Sequence, residues 1–269
     1  MTRPYAEVIG DPIAHSKSPL IHRFWLDRLG IDADYRATRV APADLASYFA
    51  DRAADPDWRG CNVTVPHKVA ALDHVPDPGD VRGSIGAANT VFRTPDGLAA
   101  TNTDAAGFLS PIADLDLSDR PVVVVGAGGA ARAILFALSK VGTGPVTLLN
   151  RTPLKGAALL AQFGLKRQAL PLTAKLPPAA LLVNASTLGM AGQPPLDLNL
   201  LALPADAVVY DIVYDPLETD LLTRAHERGL DTIDGLDMLV GQAALAFELF
   251  FGQPAPREHD EALRGLLLA

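Results

Sequence analysis

Several stretches of this chain hold residues that could do chemistry, and they suit different ligands. In Val122-Val-Val-Val125-Gly126-Ala127-Gly128-Gly129-Ala130-Ala131-Arg132, four β-branched residues run into closely spaced glycines. The valines suit a strand covered on both faces. The glycines let backbone N–H groups approach a pyrophosphate, and the next helix would offer it a positive N-terminal end. In Gly10-Asp-Pro-Ile-Ala-His15-Ser16-Lys17-Ser18-Pro19, two hydroxyls fall at a predicted helix start. With free N–H groups, Ser16 and Ser18 could hold a carboxylate, although Ser18 before Pro19 is equally an ordinary N-cap. In Asn62-Val-Thr64-Val-Pro66-His67-Lys68, alternation puts Asn62 and Thr64 on one face, with Lys68 just past the strand end. Gly86-Ala-Ala-Asn89-Thr90 and Thr101-Asn102-Thr103-Asp104 add two dense runs of short polar side chains, which turns also favour.

The elements around these residues divide into two sets. After Gly128, Ala131, Ile134, Leu135 and Leu138 fall at helical spacing, and Gly142 and Gly144 lead to a strand over 145–149. A carboxylate for the adenosine ribose is expected where that strand ends, but Asn150-Arg151-Thr152 stands there, with Lys155 one helical turn beyond Arg151. Arg151 can stack on adenine and fork to a 2'-phosphate, so the spacing predicts NADP rather than NAD; a solvated surface pair is the plain alternative. Upstream, a strand over 5–9, a helix over 19–29 ending at Gly30, a strand over 35–40, a helix over 45–52 and a strand over 60–65 stopped by Pro66 make a small α/β domain. Downstream, strands over 180–183 and 207–211 continue the cofactor sheet, and a helix over 217–228 closes at Gly229. The helix over 237–251 is apolar nearly all round, which predicts burial between layers and a return to the N-terminal domain.

This organisation predicts an α/β protein of two domains. Residues 1–102, completed by about 237–269, would bind substrate, and residues 103–236 would form a Rossmann-type parallel-sheet domain. A net charge of -8 argues against a nucleic-acid partner. No stretch reads as a signal peptide or membrane span, and Gln242 and Glu248 break the most apolar helix, so a cytoplasmic protein is expected. The single cysteine, Cys61, excludes an internal disulfide and reads as a packed thiol. The six histidines show no metal spacing.

In order and spacing, the clusters at 10–19, 62–68, 87–90, 102–104, 126–132, 150–152, 184–190 and 235–242 together resemble the shikimate dehydrogenase family over essentially the whole chain. The resemblance implies NADP-dependent interconversion of 3-dehydroshikimate and shikimate in aromatic amino acid biosynthesis. It implies Lys68 and Asp104 as the catalytic pair, Ser16 and Ser18 on the substrate carboxylate, and Thr64, Asn89, Tyr214 and Gln242 around the ring. For the cofactor it implies Gly126, Ala127, Gly128, Gly129 and Ala130 at the turn, Asn150, Arg151, Thr152 and Lys155 at the adenosine end, Gly235 and Met238 near the nicotinamide, and Ile212 as a further cofactor contact. Gln242 inside so apolar a helix needs a partner, which substrate or a backbone carbonyl could supply. Two positions depart from the family pattern: Arg23, where asparagine or a small polar residue is common, and Thr101, where aspartate is. The alternatives are a quinate/shikimate dehydrogenase of broader specificity, a non-catalytic NADP sensor, and an enzyme of folate one-carbon oxidation. A monomer or homodimer acting on a small molecule is expected.

Overall fold

The computed structural model describes residues 3–165 and 167–269. The chain runs β1 (Tyr5–Gly10), α1 (Ser18–Leu29), β2 (Asp34–Arg39), α2 (Leu45–Ala54), β3 (Trp58–Val63), α3 (Val81–Ser84), β4 (Thr90–Thr94), β5 (Gly97–Thr101) and α4 (Asp104–Leu109). It continues through β6 (Val122–Val125), α5 (Gly129–Val141), β7 (Val146–Asn150), α6 (Pro153–Gln162), β8 (Arg167–Pro171), β9 (Leu181–Asn184), β10 (Val208–Asp211), α7 (Asp220–Glu227), β11 (Asp231–Ile233), α8 (Gly235–Phe251) and α9 (Asp260–Leu268). These elements form two units, one of Met1–Asp104 with Leu239–Ala269, the other of Ala105–Met238.

The first unit is built on a five-stranded sheet in the order β2-β1-β3-β4-β5, in which β1, β2 and β3 are parallel and β4 and β5 form an antiparallel hairpin. Pro19 in the first turn and Gly30 in the left-handed conformation bound α1. Alternation along β1 gives its two faces opposite characters. Ala6 and Val8 pack with Tyr35 and with Ala246 and Phe250 of α8. Gly60 lets α8 settle there, since a Cβ would stand 2.5 Å from the Phe250 ring. The apolar C-terminal helix is therefore core to this unit. On the other face lies Glu7, 1% exposed. It accepts from Tyr48 Oη (2.8 Å), Trp58 Nε1 (3.0 Å), Arg52 Nε (2.5 Å) and the Thr38 hydroxyl, so the buried carboxylate is fully partnered.

The second unit carries a six-stranded, wholly parallel sheet in the order β11-β10-β9-β6-β7-β8. The chain steps outward from β6 through β7 to β8, then returns beside β6 and steps the other way. This is the doubly wound Rossmann order, with its switch point between the C-terminal ends of β6 and β9. Val122 to Val125 are all buried, as strands covered on both faces require.

Several local expectations need correction. Of the polar runs at 86–90 and 101–104, Thr90 and Thr101 are strand residues, paired with each other at the open end of the β4–β5 hairpin, while 86–89 and 102–103 lie outside the strands. Helix α7 starts at Asp220 rather than 217, because Thr219 Oγ1 caps it by accepting from Leu222 N. Ser18 does not cap α1: it is the first helical residue, and Ser16 Oγ instead accepts from its N–H at 3.3 Å. Among the described residues, no helix is long and apolar enough to cross a membrane.

Candidate active site

In the first unit the polar side chains converge where β3 and β5 end. Past β3, His67 Nε2 lies 2.7 Å from the Val40 carbonyl oxygen, and Ala88 N donates to Lys68 O, which fixes the backbone on both sides of Lys68. The Lys68 ammonium stands 2.5 Å from Asp104 Oδ2, with side chains only 15% and 5% exposed. Asp104 opens α4, and its N–H donates to Asn102 Oδ1, while Asn102 Nδ2 donates to Ala87 O. Asn89 completes the cluster. Its Oδ1 accepts from Thr103 N (2.7 Å) and Thr90 Oγ1 (2.9 Å), which turns Nδ2 toward Asp104 Oδ1 (2.8 Å) and Gln242 Oε1 (3.2 Å). Gln242 Nε2 donates to Leu239 O, so the buried amide is supported by its own helix and by Asn89. An ammonium has three donors, and Asp104 takes one at Lys68. The pair can therefore present N–H to a further oxygen while the carboxylate holds the amine in place.

The serine loop and Thr64 lie in the same unit. Lys17, between the two serines, donates from Nζ to Leu267 O at 2.6 Å, which commits its charge to the C-terminal end of α9. Ser16 and Ser18 are left as the neutral donors of this loop. Thr64 follows β3, half-buried. A Cβ on Gly10 would meet Thr64 Cγ2 at 2.7 Å, so glycine at the end of β1 lets the Thr64 segment approach.

The second unit supplies the glycine turn, where two glycines answer to different constraints. Gly126 has φ +106, and a Cβ there would stand 2.8 Å from the Ala185 carbonyl oxygen at the switch point, so the chain itself requires glycine. Gly128 has an ordinary extended backbone, and a Cβ there would meet nothing within 4 Å. No side chain caps α5, whose first N–H groups remain available. Open space beside uncapped donors at a helix N-terminus fits a pyrophosphate. Ala127 is buried and Ala130 half-buried beside them. At the end of β7, Asn150 Nδ2 donates to Thr152 O, and Arg151, Thr152 and Lys155 are exposed. Among the described residues neither Arg151 nor Lys155 is in an ion pair.

The remaining positions of this unit are of two kinds. Gly235 is explained by packing, since a Cβ would lie 2.5 Å from the carbonyl oxygens of Ile212 and Val213. Ile212 and Tyr214 are half-buried on the segment after β10, and Met238 is buried in α8. In sequence nothing marks Asp211 as more than the last residue of β10. It is fully buried, and its carboxylate accepts from Asn184 Nδ2, Thr219 Oγ1 and Val213 N, tying β9, β10 and α7 together. Burial pushes its carboxyl up to about 6.

The family model for the shikimate dehydrogenase substrate binding domain matches residues 8–91, and that for the shikimate 5'-dehydrogenase C-terminal domain matches residues 235–262. A shikimate dehydrogenase (NADP(+)) of Sphingopyxis alaskensis is 66% identical to this chain, covering 99% of it and 97% of the relative. The chain belongs to the shikimate dehydrogenase family. Among solved shikimate dehydrogenases, that of Thermus thermophilus in complex with NADP(H) and shikimate is 38% identical, with a TM-score of 0.83 over 97% of this chain and 99% of that one. The fold also serves a different named substrate. A quinate dehydrogenase of Corynebacterium glutamicum in complex with NAD is 26% identical, with a TM-score of 0.85 over 98% of this chain and 99% of that one.

The two departures from the family pattern have local roles. Arg23 pairs with Asp34 at 3.1 Å, an exposed tie between α1 and β2, and Thr101 is paired with Thr90 in the hairpin. Gly126→Ala adds both a strained φ and a backbone collision, so it should destabilise by at least about 2 kcal/mol. The expected readouts are a lowered thermal midpoint and weakened NADPH binding by fluorescence titration. Gly128→Ala meets no chain atom, so it should keep the midpoint and lose only binding.

Proposed function

We propose that this protein is an NADP-dependent shikimate dehydrogenase that reversibly reduces 3-dehydroshikimate to shikimate on the route to chorismate and the aromatic amino acids. The observation that carries this reading is the 2.5 Å contact of Lys68 with Asp104, nearly buried in the unit that also presents Ser16 and Ser18. Reducing a ketone with a hydride delivers a proton to the same oxygen, so a proton donor must lie within reach of it. Residues 126–130 with Asn150, Arg151, Thr152 and Lys155, together with Ile212, Gly235 and Met238, would hold NADPH, which would supply the hydride. Lys68 donates a hydrogen bond to the carbonyl oxygen, stabilises the charge that grows there, and passes it the proton. Asp104 keeps the ammonium aimed and accepts from a ring hydroxyl. Asn89, Gln242, Thr64 and Tyr214 bind the other ring oxygens. Ser16 and Ser18 hold the carboxylate as hydroxyl donors, a role suited to a loop whose lysine is engaged elsewhere.

Kinetics with shikimate and quinate, each with NADP and NAD, test the assignment. The expected order puts shikimate with NADP first. Higher kcat/KM for quinate would move the enzyme to the broader-specificity class, and NADPH binding with no turnover of either acid would make it a sensor. One substitution tests the cofactor assignment by itself. Arg151→Ala should lower kcat/KM for NADP roughly 10- to 100-fold, as loss of a charge-assisted fork to phosphate does, and leave NAD nearly unaffected. Equal loss with both cofactors would remove the 2'-phosphate from Arg151.

A further inference from the structure

A buried tyrosine far along the sheet from Lys68 is connected to it by a continuous line of hydrogen bonds. Tyr35, on β2, is fully buried, and its ring stacks on His22 with centroids 3.9 Å apart and planes 3° from parallel. The side chain reaches across β1, where its neighbour in register is the small Ala6, and its hydroxyl donates to Asn62 Oδ1 of β3 at 2.6 Å. Asn62 Nδ2 donates to Thr90 Oγ1 at 3.2 Å, its cross-strand partner on β4. Thr90 Oγ1 donates to Asn89 Oδ1 at 2.9 Å, and Asn89 Nδ2 donates to Asp104 Oδ1 at 2.8 Å.

We infer that Tyr35 is a positioning residue for the Lys68–Asp104 pair, acting through a one-way hydrogen-bond chain that crosses the sheet by way of Asn62, Thr90 and Asn89. The inference rests on the reading of Lys68 and Asp104 as the reacting pair. Both ends of the chain dictate its direction. At one end Asp104 can only accept, and Thr103 N, a fixed donor, holds Asn89 Oδ1 away from it. At the other end, the Tyr35 proton finds its acceptor in Asn62 Oδ1, and flipping that amide would leave a buried O–H without one. Burial raises the phenol well above its ordinary pKa, so it remains a donor throughout the working range. The titratable groups acting on Tyr35 are His22 on its ring and, from the opposite face of the sheet, Glu7 and Cys61; Lys68 faces Asp104. Donors in series polarise one another. Without the phenol, Asn62 can turn over and draw the Thr90 hydroxyl to itself, and Asn89 becomes a weaker donor to Asp104.

The test compares pH profiles of shikimate oxidation for the wild type, Tyr35→Phe, Thr90→Val, Thr90→Ser and the Tyr35→Phe/Thr90→Val double variant, with thermal midpoint and NADPH binding measured on each. Tyr35→Phe and Thr90→Val should each lower kcat roughly 5- to 20-fold, change KM little, and move the acid limb to higher pH. Thr90→Ser keeps the hydroxyl and should restore most of the rate. The double variant should be no slower than Thr90→Val, because both changes break one chain. A wild-type profile for Tyr35→Phe, multiplicative losses in the double variant, or equal losses in Thr90→Ser and Thr90→Val would each overturn the inference. If Tyr35→Phe does not fold, the serine–valine comparison decides. Turnover retained by Lys68→Met would instead overturn the reading of the pair, whatever the tyrosine does.

Discussion

Lys68→Met is expected to bind NADPH like the wild type and to lose roughly 10²- to 10⁴-fold in kcat, about 3–5 kcal/mol of transition-state stabilisation. The loss should fall on kcat and kcat/KM alike, because the donor acts where charge develops on the substrate oxygen and contributes little to ground-state binding. Removing the ammonium also leaves the Asp104 carboxylate buried, and an unpaired buried charge destabilises a fold by several kcal/mol. That effect must be separated from catalysis. A neutral amide in place of the carboxylate removes the stranded charge, so the Lys68→Met/Asp104→Asn double variant should recover the thermal midpoint without recovering turnover. Single-turnover rates and melting curves for both variants check this. A Lys68→Met enzyme turning over within a few-fold of the wild type would place proton delivery elsewhere.

Acidification should act on the two units in opposite directions. His22 is fully buried, neither ring nitrogen has a hydrogen-bond partner, and burial lowers its pKa from 6.5 to about 3. Below pH 6.5 the unfolded chain takes up a proton there that the native unit refuses, so the first unit loses stability as pH falls, by about 1.4 kcal/mol per pH unit down to about pH 3. Asp211 runs the other way. Its carboxyl is raised from 3.8 to about 6, so between those values the native state holds a proton that the unfolded state has released. The second unit therefore gains stability as pH falls through 6, by about 1 kcal/mol on reaching pH 5, while the first loses about 2. The two slopes largely cancel in any whole-molecule measurement. Amide exchange corrected for intrinsic rates should resolve them, with β2 opening more readily at pH 5 than at pH 7.5 and β10 less. His22→Phe should abolish the first trend, and Asp211→Asn the second. Unchanged slopes in these variants would assign the pH response to other groups.

The parts of this fold legible in the sequence were those where one local signal dominated. The four valines of β6 and the Gly30 stop of α1 left little room for another element. The hairpin of β4 and β5 is masked in the sequence although Pro95-Asp96-Gly97 is a turn signal, because its flanks, Thr90 and Thr101, carry the short polar side chains that loops also carry. The apolar Leu217 draws the expected start of α7 three residues too early, because the capping signal at Thr219 is the weaker of the two in the sequence. For the site, residue types could suggest Lys68 and the serines, but not which partner each would choose. Lys17 stands between those serines in sequence, yet its ammonium is taken by the Leu267 carbonyl oxygen near the end of α9. Gln242 could have turned to substrate alone, yet its amide leans on Asn89 and Leu239. Such choices depend on strands distant in sequence, as with Tyr35 and Asn62 across β1.

The two buried polar networks on opposite faces of the first sheet have a consequence for how this enzyme can be assayed. A slip of β3 by one residue would exchange Asn62 for Cys61 or Val63 on the face that Tyr35 reaches, and a slip of β1 would turn Glu7 away from Arg52, Tyr48 and Trp58. Apolar packing alone would tolerate many such near-misses. Here a slip of either strand breaks a hydrogen-bonded network, and a slip of β3 also disconnects Tyr35 from the reacting pair. Specific activity in a refolded preparation thus counts correctly threaded molecules, and a stable but inactive fraction is the signature of misaligned strands.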